Sequence, residues 1–202
     1  METTTGFYEG RLGVVLLFAD RTRAKVLEAA AQYKDGNLID LGGQHEPHLT
    51  LYHAELVRVP AEVIAELLEE LACSVYELQL IFSRISPWNR FLFWDVKRQK
   101  ELVDMHGRAL SLARYFNRGM GQVEGGFSVL SLQERYNVEV FGNPLVNDLW
   151  RPHVTLGYYA EGRAMDALDK RFSGIASAIA FVQIGEMGTI AKVISRHSFG
   201  AK

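Results

Sequence analysis

The chain has 202 residues, 48% of them hydrophobic and 23% charged, with 22 Lys and Arg against 24 Asp and Glu for a formal net charge of −2. That balance excludes a disordered or fibrous chain, and it excludes the global positive field that draws a protein onto long duplex nucleic acid or an anionic membrane. The single cysteine, Cys73, excludes an intramolecular disulfide and a thiolate metal cluster, so a reducing compartment is expected.

In chain order, the apolar run near the N-terminus has no basic segment before it and is too short and too soon interrupted for a signal peptide or membrane span, which makes cytoplasmic the expected location. Arg11 to Asp20 reads as a buried strand and Arg21 to Tyr33 as a helix. Pro47 to Leu56 alternates with the strand period, which sets His48, Thr50 and Tyr52 on one face and Leu49, Leu51 and His53 on the other. Pro60 to Cys73 is an amphipathic helix striped by Val63, Ile64, Leu67, Leu68 and Leu71, with a strand over Tyr76 to Ser83 after it. A strand at Phe91 to Lys97 and a helix at Lys100 to Asn117 follow. The segment of about 119 to 150 is an insertion, glycine-rich at its start, whose stretch "SVLSLQERYNVEVFG" fits helix or strand. Pro152 to Tyr159 reads as a strand, Gly162 to Gly174 as a helix striped by Met165, Leu168 and Phe172, and Ala178 to Ile194 as a hairpin turning at Gly185 to Gly188.

The informative feature is a repetition: Pro-His-x-Thr-Leu occurs at Pro47 to Leu51 and again at Pro152 to Leu156, each on a strand after a strand and a helix. The chain therefore reads as an internal repeat, with halves of about 10–88 and 89–196 inside one two-lobed domain spanning 1–202. Two such strands facing each other across a cleft bring two imidazoles and two hydroxyls to one point. An imidazole titrates near neutrality, so one histidine can serve as base and the other as acid, while a threonine two residues on reaches the same oxyanion. In-line displacement at phosphorus needs that pair on opposite sides of the reacting atom.

On these residues, "HLTL" at His48 to Leu51 and "HVTL" at His153 to Leu156, the chain resembles the 2H phosphoesterase superfamily, which includes bacterial 2′-5′ RNA ligase-like proteins and cyclic phosphodiesterases. The resemblance covers nearly the whole chain. It implies an α+β fold of two pseudosymmetric lobes, each an antiparallel sheet backed by helices, around a central cleft. It further implies metal-independent hydrolysis of 2′,3′-cyclic or 2′-5′ phosphodiesters, or the reverse ligation, with His48 and His153 as acid and base and Thr50 and Thr155 holding the phosphate. The insertion departs from the most compact members and leaves the substrate class open. A nucleotide or RNA-end binding module without turnover, and an enzyme acting on an ADP-ribose-type cyclic phosphate, are the rival readings.

Other residues have weaker patterns. Tyr52, on the His48 face, and Tyr158 are candidates for contact with a nucleobase. From Arg84 to Arg118 eight basic residues stand against three acids, and Arg90, with Lys97 and Arg98, is a candidate phosphate contact by charge. His45, His48 and His53 suggest a metal only until the strand period turns His53 away from His48, so neither metal nor cofactor is expected. His106 and His197 read as surface or edge residues. The expected partner is a small nucleotide or RNA terminus, with no long duplex and no membrane, and the chain is expected to be a monomer.

Overall fold

The computed structural model describes residues 6–118, 130–161 and 165–200. Strand β1 (Phe7–Phe18) is buried continuously from Leu12 to Phe18 because strands flank it on both sides, β2 (His48–Pro60) and the later β6 (Leu168–Ile184). Between β1 and β2 lies α1 (Asp20–Ala31), which packs Val26, Ala29 and Ala30 inward. After β2, Pro60 takes φ −62° at the N-cap and releases the chain into α2 (Ala61–Cys73), whose Ile64, Leu67, Leu68 and Leu71 are buried, the stripe that the spacing requires. The β3–β4 hairpin (Leu78–Trp88 and Phe91–Val96) turns at Asn89, which tolerates its φ of 53° better than most residues. The predicted helix Lys100 to Asn117 is α3 (Lys100–Ala109), tightened into 3-10 turns over Leu110–Tyr115.

Inside the insertion, Ser131 and Glu134 close a reciprocal capping box that starts α4 (Leu132–Phe141). Gly142 ends it at φ 71°, where a Cβ would sit 2.5 Å from the Phe116 ring. β5 (His153–Tyr158), β6 and β7 (Ile190–Ser198) complete the chain. The early part of the insertion and the first residues of the predicted helix at 162–164 lie outside the described residues.

Among the described residues seven strands run antiparallel in the order β1-β2-β5-β4-β3-β6-β7, and β1 also pairs with β6. The long β6 makes two lobes possible. Its first part, Leu168 to Ala176, pairs with β3, and its second part, from Ala176 on, pairs with β1 and β7. One lobe is therefore β2-β1-β6-β7 and the other β5-β4-β3-β6, with each motif strand at the inner border of its lobe. The sequence halves and the lobes do not coincide, since β3 joins β4 and β7 joins the β1 side. The two motif strands touch at one antiparallel pair, Leu49 with Val154, a register that sets His48 beside Thr155 and Thr50 beside His153.

Two expectations are corrected. Of the segment read as a helix over Gly162 to Gly174, Leu168 to Gly174 is the first part of β6 and residues 165–167 have no regular structure. Leu168 and Phe172 are four apart, a spacing that places residues on one face in either period, and β3 supplies a ladder that a solvent-facing helix would lack. The second correction follows from a β-bulge. Val14 pairs with Tyr52 and Val15 with Thr50, so Leu51 is an extra residue in β2. Phe93 pairs with Thr155 and Leu92 with Gly157, so Leu156 is the same extra residue in β5.

Each bulge reverses the alternation after the threonine. Tyr52 turns into the core at 1% exposure, where its hydroxyl donates to the Phe141 carbonyl at 2.7 Å, and His53 turns to the cleft side. Tyr52 is among the residues lining the cleft, but at 1% exposure it offers no open ring face for stacking. Tyr52→Phe leaves a part-buried carbonyl without its donor, so it is expected to lower unfolding free energy by about 1–2 kcal/mol in urea titrations, with nucleotide affinity unchanged.

Candidate active site

Each motif histidine is held by the carbonyl two residues before it. His48 Nδ1 lies 3.0 Å from the Glu46 carbonyl and His153 Nδ1 lies 2.7 Å from the Arg151 carbonyl. A carbonyl only accepts, so Nδ1 carries the proton in both neutral rings and Nε2 is the remaining nitrogen; the His48 ring also feels the Gly188 carbonyl, which has no counterpart at His153. The intervening Pro47 and Pro152 have no N–H to compete and keep the preceding residue extended, which accounts for the proline in both motifs.

The residue that supplies the carbonyl is anchored in turn. Glu46 forms a two-point ion pair with Arg23 of α1, at 2.7 and 3.0 Å. Arg151 forms one with Asp95 of β4, at 2.8 and 3.0 Å, and also donates to Ser86 Oγ at 2.6 Å. Burial works against ionisation of Asp95, but Arg151, Arg84 and Ser86 outweigh it and hold its pKa below the ordinary value. The same device appears in both lobes with the charges exchanged.

The histidines and threonines line one cleft of about 780 Å³. Burial lowers the pKa of His48, opposed by the carbonyls of Glu46 and Gly188. Burial likewise lowers His153 to about 4, with the Arg151 carbonyl opposing and the Arg151 charge adding to the shift. In the free protein His153 is therefore neutral at pH 7. An anion between the rings favours the protonated form and reverses this trend.

Beside His153 stands an aromatic wall. Phe93 stacks on the imidazole at 3.7 Å between centroids, Trp88 stacks on Phe93 at 5.7 Å, and Phe91 meets the Tyr158 ring edge-on at 4.8 Å. The predicted Tyr158 does line the cleft, brought there by the Leu156 bulge. The predicted Arg90 stands behind it, donating to the Tyr158 hydroxyl at 3.3 Å. Arg98 is not a phosphate contact: its guanidinium donates to the carbonyls of Asp148 and Asn147, bracing the turn before β5. Sequence reasoning missed Trp88, Phe91 and Phe93, although their alternation in "PWNRFLFW" was a signal of one aromatic strand face.

Two histidines need correction. His53, expected on the far face, lines the cleft. Even so, no group of three or more His, Cys, Asp or Glu among the described residues is placed to hold a metal ion. His106, expected at the surface, is 2% exposed. Its Nδ1–H donates to the carbonyl of Leu51, the bulge residue, at 2.6 Å, its Nε2 accepts from the Asn147 N–H at 3.0 Å, and its ring stacks flat on Trp150 at 4.2 Å. It ties one motif strand to the segment that leads into the other.

Two lobes meeting at paired His-x-Thr strands, in a seven-stranded antiparallel α+β arrangement, form the 2H phosphoesterase fold. Comparison with solved structures agrees. The chain is similar to TT0787 of Thermus thermophilus, with 16% identity, a TM-score of 0.64 and coverage of 95% of this chain and 99% of that one. It is similar to a protein described as a phosphoesterase, with 18% identity, a TM-score of 0.53 and coverage of 96% and 100%. It is also similar to E. coli LigT in complex with 3′-AMP, with 15% identity, a TM-score of 0.55 and coverage of 96% and 99%. No family model matches the sequence, and no curated protein does.

The His106 environment makes a stability prediction. Burial lowers its pKa to about 4 from 6.5, so between those values the unfolded chain binds a proton that the folded one refuses. Stability is therefore unaffected by this group above pH 7 and falls as the pH drops through that window, by roughly 3 kcal/mol. Urea titrations at about pH 7, 5.5 and 4 should show the decline, to which the lowered pKa values of His48, His53 and His153 also contribute, and His106→Gln should make it shallower without abolishing it.

Proposed function

We propose that the protein is a phosphodiesterase of the 2H type, which opens 2′,3′-cyclic phosphates or cleaves 2′-5′ diesters by paired histidine acid–base catalysis. The observation that carries this reading is the fixing of His48 and His153 by the carbonyl of the second residue before each, which commits Nδ1 of both rings on the walls of a shared cleft. One neutral Nε2 takes the proton of the attacking water, phosphorus inverts in line, and the other imidazolium protonates the departing ribose oxygen. Thr50 and Thr155, alternating with the histidines on the cleft faces, donate to the non-bridging oxygens. Joining a 2′,3′-cyclic end to a 5′-hydroxyl uses the same groups, with the 5′-hydroxyl in place of water as the attacking oxygen and the ribose 3′-oxygen, protonated by the other imidazolium, as the leaving group.

The aromatic wall beside His153 suits a nucleobase, and the ligands named in the LigT structures, 3′-AMP, NADP+ and ATP, support a nucleotide as the class to test first. A second reading, a binding module that holds nucleotides without converting them, is favoured by the lowered pKa of both histidines, since the free site holds no ready acid.

The test is turnover of 2′,3′-cyclic nucleotides, 2′-5′ oligonucleotides and an ADP-ribose cyclic phosphate in the presence of chelator, followed by phosphorus NMR. His48→Ala and His153→Ala should each lower the rate by about 10²–10⁴-fold, and Thr50→Val and Thr155→Val by roughly 10–100-fold. Turnover that survives both histidine substitutions refutes the assignment. Binding of 3′-AMP with no conversion of any compound in the panel decides for the binding module.

A further inference from the structure

The cleft is chemically lopsided, and the end away from the aromatic wall has no role in the reaction described above. It is built where β1 runs beside β2 past the Leu51 bulge, under the loop that leaves α4. Gly13 pairs with His53 and Arg11 with Glu55, so Arg11 and Gly13 share the His53 face of the sheet. A Cβ at position 13 would stand 2.8 Å from His53 Cβ, so the glycine is what lets the imidazole lie against β1 next to the Arg11 side chain.

Asn143 sets which His53 nitrogen donates. Its Oδ1 accepts the Leu145 N–H at 2.9 Å, which fixes the amide orientation. Its Nδ2 then donates to the His53 carbonyl at 3.3 Å and to His53 Nε2 at 3.2 Å. With Nε2 accepting, the proton of the neutral ring sits on Nδ1, and His53 presents a donor. Burial, with the nearby Arg11 charge, keeps the ring neutral by holding its pKa at about 3.

Arg11 is exposed and lines the same cleft, with no salt-bridge partner among the described residues. Of the carboxylates in the cleft wall, Glu134 is engaged with the Ser131 N–H at the start of α4, and Glu186 belongs to the turn beside His48. Glu55 stands opposite Arg11 on this face but forms no salt bridge with it among the described residues, so the guanidinium lies beside a neutral N–H donor with the Thr50 hydroxyl further along β2. Such a set of donors matches the acceptor-only oxygens of a phosphoryl group.

We propose that Arg11 and His53 form a second phosphate subsite, so that the preferred substrate is a linear 2′-5′ oligonucleotide with a further phosphate on its leaving nucleoside. This rests on the diesterase reading and narrows it. The base on the 2′ side stacks on the wall by His153, the scissile phosphorus lies between the histidines, and the next phosphate reaches Arg11. A 2′,3′-cyclic mononucleotide leaves the subsite empty.

Two compounds separate this from the general reading: 2′-5′ ApA, and the same dinucleotide with a 3′-phosphate on its leaving adenosine. The added phosphate should raise kcat/KM by roughly tenfold or more, mainly through KM. Arg11→Gln should remove that gain while leaving cleavage of ApA within about twofold of wild type. Calorimetric binding of both compounds to His153→Ala should show the same preference without turnover, and the Arg11→Gln, His153→Ala double variant should lose it. Equal kcat/KM and equal affinity for the two compounds overturn the subsite, while cleavage of ApA keeps the diesterase reading. An Arg11-dependent preference in binding, with no cleavage by wild type, sustains the subsite and removes the diesterase reading.

Discussion

The site depends on one hydrogen bond made twice, from the Nδ1–H of a motif histidine to the carbonyl two residues before it. An imidazole with both nitrogens free offers two tautomers and a swinging ring. Fixed at Nδ1, it offers a single Nε2 in a set direction. Because the carbonyl must itself be still, its residue is clamped from the side by a two-point Arg–carboxylate pair, Glu46 with Arg23 and Arg151 with Asp95. Such pairs combine geometric definition with charge-assisted strength. Here their effect on stability matters less than their hold on the backbone beside the imidazole.

A second constraint is the bulge after each threonine. Without it the strand period would carry Tyr52 and Gly157 to the cleft, and His53 and Tyr158 away from it. With it, the residue five after each motif histidine faces the cleft, and these two residues, His53 and Tyr158, are chemically unlike. A cleft between pseudosymmetric motif strands thereby acquires one aromatic end and one polar end. His106 secures the first bulge by donating its Nδ1–H to the Leu51 carbonyl that the interrupted ladder leaves over.

What could be read before folding was the local chemistry. The duplicated Pro-His-x-Thr-Leu, the α2 stripe and the two-lobed α+β arrangement are all written in short-range patterns. The Ser131–Glu134 capping box was also legible as Ser-x-x-Glu and would have decided the open choice for α4. The helix expected over Gly162 to Gly174 failed for a different reason. A four-residue apolar spacing is common to both periods, and the partner that decides between them, β3, lies about 90 residues earlier (172 − 82 = 90 for the paired Phe172 and Phe82).

By itself the sequence determined which side chains pair on each motif strand, because the identity and two-residue spacing of His48 and Thr50, and of His153 and Thr155, are covalent facts that any strand turns to one face. Only the tertiary structure decided which neighbours join them. A bulge is a mismatch between two strands, and the burial of His106, the use of Arg98 and Arg151, and the exchange of Tyr52 for His53 all follow from partners distant in the chain. The His–Thr motif is a property of local spacing, whereas the shape and polarity of the cleft around it belong to pairing and packing.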